Sequence, residues 1–110
     1  METQQEVCIR FGVTAERPSA GEKLGIALST VGTLPINGLR IHLEGTCGWL
    51  IWAGGEASVD PDFYQPLHVG HIAEYLPSVE PYLSLPPGYR FQLADGHEDV
   101  WFDPALLSVK

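Results

Sequence analysis

His68 and His71 stand three residues apart in the stretch Pro66-Leu67-His68-Val69-Gly70-His71. On a helix that spacing puts both imidazoles on one face, where they can reach a single metal ion. Asp60, Asp62 and Glu74 are the nearby acids that can add a third ligand. H-x-x-H alone is a weak metal signature, and no second Cys or His pair follows at zinc-site spacing. Paired carboxylates occur at Asp60/Asp62 and at Glu98/Asp99/Asp103. General acid–base chemistry needs one carboxyl whose pKa is raised, usually by burial. Glu98-Asp99 falls on an exposed hairpin edge, and Asp60-Pro61-Asp62 has the composition of a turn cap. Cys47 and His42 are close in sequence, but a catalytic dyad must be close in space and oriented by a third group. The chain has no G-x-S-x-G elbow, no phosphate-binding P-loop and no G-x-G-x-x-G. No catalytic residue, metal ligand or cofactor is assigned on this basis. Two alternatives remain: a small-ligand or metal-binding module using His68 and His71, and an enzyme with its site around residues 60–71.

Aromatic side chains beside acids are the more informative pattern. Glu56, Asp60, Asp62 and Phe63 share one acidic stretch, and Arg90, Glu98, Asp99 and Trp101 share another. Trp and Arg among acids is the composition of a protein–protein hot spot. These eight residues are the candidate partner-binding surface. The competing expectation is that a last turn of helix after Asp103-Pro104 covers Trp101.

The elements that must position them are read from periodicity. Glu6–Val13 alternates apolar and polar residues, which predicts a half-buried strand. Lys23–Val31 reads as a second strand, residues 32–38 as a loop and residues 39–43 as a short extended piece. Gly48–Ala53 is strongly β-prone and stopped by Gly54-Gly55. Its two tryptophans, Trp49 and Trp52, should point to opposite faces. After the acidic loop Glu56–Tyr64, Pro66 is expected to open a helix with Val69, Ile72, Ala73 and Leu76 on its inner face. Pro77 ends it, and Ser78 caps a second short helix to Leu83. Leu85-Pro86-Pro87-Gly88 is a rigid turn. Tyr89–Leu93 and Glu98–Phe102 form a hairpin around Asp95-Gly96, expected as a type I′ turn. Leu93 then faces Glu98, Phe91 faces Val100, and Tyr89 faces Phe102. Tyr89, Phe91, Val100 and Phe102 would face the core; Arg90, Gln92, Asp99 and Trp101 would face away. The predicted fold is a single α+β domain over residues 1–110. It has an antiparallel or mixed sheet, a helical pair (about 66–84) on one face and a C-terminal β-hairpin (about 89–102).

Bulk properties narrow the partner. At 110 residues, with 45% hydrophobic and 18% charged residues, the chain can bury a core without staples. Cys8 and Cys47 read as reduced core thiols. The N-terminus lacks a basic region followed by an apolar one, so no secretory signal is evident and the expected location is cytoplasmic. Net charge is −8. Residues 1–55 hold five acids and four bases, whereas residues 56–110 hold nine acids and two bases. Nucleic acid and anionic membranes are disfavoured partners for that second half, and a basic protein is permitted; the plainer reading of the charge is that it keeps the protein in solution.

Five segments carry a family resemblance: GEKLGIAL (Gly21–Leu28), INGLR (Ile36–Arg40), GWLIWAGGE (Gly48–Glu56), DPDFYQPLHVGHIAEYLPSVEPYLSLPPGYRF (Asp60–Phe91) and EDVWFDPALL (Glu98–Leu107). They resemble the thirty-third family of bacterial immunity proteins of polymorphic toxin systems. The resemblance implies a non-enzymatic protein that binds and neutralises a cognate toxin. It implies no catalytic or binding residue.

Overall fold

A computed structural model describes residues 2–108. The chain begins with a helix, α1 (Gln4–Arg10), in place of the strand expected over residues 6–13. Its start is fixed by a capping box. Thr3 Oγ1 accepts from the Glu6 N–H, and Glu6 Oε1 accepts from the Thr3 N–H, at 3.1 and 2.9 Å. That local signal outweighs the alternation. The helix buries Val7 and Cys8, and leaves Ile9 67% exposed.

Six strands follow: β1 (Lys23–Ile26), β2 (Ile36–Arg40), β3 (Trp49–Ala53), β4 (Gln65–His68), β5 (Tyr89–Ala94) and β6 (His97–Phe102). They form one mixed sheet in the order β4-β1-β3-β2-β5-β6, with β1 and β3 parallel and every other pair antiparallel. The predicted strand at 23–31 is therefore cut short. β1 stops at Ile26, and Leu28–Thr30 is a 3-10 turn closed by the Thr30 hydroxyl on the Ala27 carbonyl at 2.7 Å. The region expected to be a loop supplies β2, a central strand.

The helical pair is short 3-10 structure, Val69–Glu74 and Pro77–Tyr82. Pro66 does not open a helix: Gln65–His68 pairs with β1 as an edge strand. Val69, Ile72, Leu76 and Val79 are buried, whereas Ala73 is exposed, because a tighter turn carries it off the inner face. Ser78 does not cap the second segment, which starts at Pro77 with Leu76 in the cap position.

One sheet face makes the core. Leu24, Ile26, Ile36, Trp49, Ile51, Phe91 and Leu93 pack there with Val7 and Cys8 of α1 and with Ile72, Val79 and Leu83. Both cysteines are free and buried. The hairpin register sets Leu93 against Glu98, Phe91 against Val100 and Tyr89 against Phe102. The turn is not type I′: Gly96 has φ +69° and Asp95 has no positive φ. Phe91 is buried, Tyr89 and Val100 are half-buried, and Phe102 is 47% exposed at the sheet edge.

Candidate functional site

Among the described residues, no α-helix lies on the second face of the sheet. Strand register lines up two rows of side chains across it. One runs Pro66, Gly25, Leu50, Leu39, Arg90, Trp101; the other runs Trp52, Asn37, Gln92, Asp99. Trp49 and Trp52 do point to opposite faces, and both are buried: Trp49 lies in the core, and Trp52 under this second face.

Trp52 is held by its own loop. Its indole N–H donates to the Gly55 carbonyl at 2.9 Å, and Tyr64 meets its ring edge-on at 6.5 Å between centroids. Tyr64 reaches back over the sheet because Gly25 leaves room. A Cβ at Gly25 would lie 2.8 Å from Leu50 Cδ2 and 3.3 Å from Tyr64 Cβ. Burial pushes the Tyr64 phenol up, and the Arg90 charge works against that shift. Phe63 stacks edge-on against Tyr64 at 4.9 Å. The acidic segment before them is locally closed: Asp60 Oδ1 accepts from the Asp62 N–H at 2.8 Å. Glu56, Asp60 and Asp62 are exposed.

On the hairpin, Arg90 lies 5.8 Å from the Trp101 ring centroid and donates to Asp103 Oδ2 at 3.0 Å. Asp103 Oδ1 accepts from the Ala105 N–H and so starts the last turn, Pro104–Ser108. That turn buries Leu106 but leaves Trp101 39% exposed. A chain of amides crosses the next row: Gln92 donates to Asn37 Oδ1 at 3.1 Å, Asn37 donates to the Gly54 carbonyl at 3.2 Å, and His97 meets Gln92 at 3.2 Å. It fixes the hairpin to the base of the acidic loop.

Of the eight candidate residues, the structure brings Arg90, Asp99 and Trp101 onto the open face, with Phe63 beside it through Tyr64. Glu56, Asp60 and Asp62 lie in the loop that leads to Tyr64. Glu98 goes elsewhere. It points to the core side of β6, where Arg10 grips it with two bonds of 2.6 and 2.7 Å and the Tyr82 hydroxyl donates to it. The Arg10 guanidinium holds the Glu98 carboxyl down to about 2, and burial beside that carboxylate pushes Tyr82 up to about 12. Glu98 fastens α1 and the second 3-10 segment to the hairpin.

Arg40 escaped the sequence reading. It is only 7% exposed and has no carboxylate partner among the described residues. Its guanidinium donates to the carbonyls of Cys47, Glu16, Leu83 and Leu85 at 2.8 to 3.2 Å, and lies 5.8 Å from the Trp49 ring centroid. Burial pushes it below its ordinary value. Nothing in its neighbours, Leu39 and Ile41, announces an internal cation.

His68 and His71 do come together, with ring centroids 5.9 Å apart. No group of three His, Cys, Asp or Glu side chains converges at metal-binding distance among the described residues. Three depressions, of about 400, 280 and 120 Å³, are lined by other residues. The largest runs between Gln4, Arg17, Ser19, Val69 and Glu80, and none includes Asp60, Asp62, His68 or His71. No helix among the described residues is long and apolar enough to cross a membrane.

The second sheet face thus sets Arg90 and Trp101 opposite each other, with Asp99 on the same side of β6 and the Tyr64–Phe63 pair beside them. The family model for the Imm33-like domain matches residues 3–103. The chain belongs to that family. Comparison with curated proteins gave no match, and comparison with solved structures gave none.

Proposed function

We propose that this chain is a non-enzymatic immunity protein, acting in the cytoplasm, that binds a cognate toxin and neutralises it by occlusion. Membership in the Imm33-like family supports the class. The observation that carries the surface is the second face of the sheet, where Trp101, Arg90 and Asp99 sit in register beside the Tyr64–Phe63 pair and the acidic loop. The aromatic groups would supply affinity. Asp60, Asp62 and Asp99 would steer a basic toxin, since complementary fields mostly raise the association rate. Arg90, already paired with Asp103, would position Trp101 rather than meet the toxin's charge.

The test is association kinetics with the toxin encoded beside this gene. Asp60→Lys, Asp62→Lys and Asp99→Lys together should slow association by about tenfold at low salt and flatten its salt dependence. Unchanged rate and salt dependence in the triple variant would remove this surface. Failure of the chain to protect cells expressing the toxin would remove the immunity reading itself.

A further inference from the structure

We propose that the β6 edge of the sheet accepts an extended segment of a basic protein partner as a seventh strand, with a cationic side chain of that segment against Asp99. This rests on the toxin-binding reading and names how the toxin would be held.

The two edges of the sheet are built differently. At the β4 edge, the bond from the Val69 N–H to the Glu22 carbonyl (2.8 Å) fixes which residues turn inward. Gln65 and Leu67 serve β1, so Pro66 and His68 face outward. Pro66 has no N–H to give, and the strand is four residues long. That edge is closed to another strand.

At the β6 edge, the bond from the Asp103 N–H to the Gly88 carbonyl (2.7 Å) sets the alternation. His97, Asp99 and Trp101 bond to β5, and Glu98, Val100 and Phe102 turn their N–H and C=O groups outward. Among the described residues no hydrogen bond reaches those outward groups. The strand runs six residues without Pro or Gly, and all but Val100 are exposed. It offers a full row of peptide groups to an incoming strand.

Side chains select the occupant. The Asp99 carboxylate has no hydrogen bond or ion pair among the described residues, and it shares a face with Trp101; Glu98, Val100 and Phe102 occupy the other. An added strand with a cation against Asp99 and apolar groups against Val100 and Phe102 matches both faces. A second copy of this chain matches poorly. Two-fold antiparallel pairing preserves the faces, and the registers that pair five of the six β6 residues centre on Asp99 or on Val100. The first opposes two aspartates directly. The second sets Asp99 against an indole and Glu98 against Phe102.

The test is amide hydrogen exchange on the full chain with a short capped peptide alternating lysine and valine, and a matched glutamate–valine peptide. The lysine peptide should slow exchange at Glu98, Val100 and Phe102 on the order of tenfold, and the glutamate peptide should not. Asp99→Lys should reverse the preference. Val100→Pro removes an outward donor without touching the β5 ladder and should abolish protection. Equal effects of the two peptides, or no protection at these three amides, overturns the proposal. So does protection that grows with protein concentration alone, which would make a second copy the occupant. If the toxin binds while these amides exchange as in the free protein, the edge proposal fails and the immunity reading stands. If the toxin does not bind but the lysine peptide does, the reverse holds.

Discussion

Arg40 shows how much of this protein rests on one side chain. Its donors tie together the chain before β1, the loop before β3 and the residues after Tyr82, through four carbonyls. Arg40→Met would take this donor from the Cys47, Glu16 and Leu85 carbonyls, while Leu83 keeps the Trp49 indole N–H at 2.8 Å, a loss of about 3 kcal/mol in urea unfolding. Arg40→Lys should recover little, because an ammonium cannot span a planar fork of acceptors. Glu98 gives a pH signature. Its carboxyl is held at about 2 against an ordinary 4.5. A depressed acid contributes stability above its unfolded value and loses it as pH falls through the folded one. The pair with Arg10 is more than one-third exposed on the Arg10 side, so about 1 kcal/mol should disappear between pH 4.5 and 2. Glu98→Gln should flatten acid unfolding in that window. Tyr82, raised to about 12, acts in the other direction, with stability lost as pH climbs from 10 through 12. The buried state of Cys8 and Cys47 could be read from residue type. The direction of Glu98 could also be read, since the hairpin register places it on the face opposite Asp99. Proximity in sequence groups it with Trp101, and the alternation along β6 separates them.

At the scale of elements, legibility followed how local the determining signal is. The hairpin at 89–102 carries its own turn and pairing, so its register is readable from one stretch of chain. α1 was legible too, in Thr3-Gln4-Gln5-Glu6, but the alternation of Val7, Ile9, Phe11 and Val13 masked it. Thr3→Ala should cost about 1 kcal/mol by removing the cap. β2 was not legible. Gly38 in Ile36-Asn37-Gly38-Leu39-Arg40 argues for a loop, and only a residue fifty-odd positions later explains it. A Cβ at Gly38 would run into the Phe91 ring, which lies across the glycine from β5. Gly38→Ala should therefore destabilise by about 2 kcal/mol despite its better intrinsic propensity, measurable by thermal unfolding. Pro66 misled for the same reason. Its fixed φ suits a helix start or an edge strand equally, and pairing with β1 decides.

The whole molecule divides its labour between the two sheet faces. One is filled by helices and apolar side chains. The other carries Trp101, Arg90 and Asp99 beside the Tyr64–Phe63 pair, and under the proposed function Trp101→Ala there should weaken binding of the toxin at least about tenfold while shifting the melting temperature little. The charge imbalance toward residues 56–110 was visible in composition. Its placement was not, because the open face is assembled from six strands whose order a linear reading does not give. The unequal edges carry one more consequence. A strand-pairing monomer with two receptive ends can propagate into a fibre, as a bifunctional unit extends a polymer. This chain has one receptive end, and Pro66 caps the other. With the proposed pairing at β6 it would act as a chain terminator: strand addition stops after a single partner strand, and excess protein should form no filaments, as light scattering at high concentration would check.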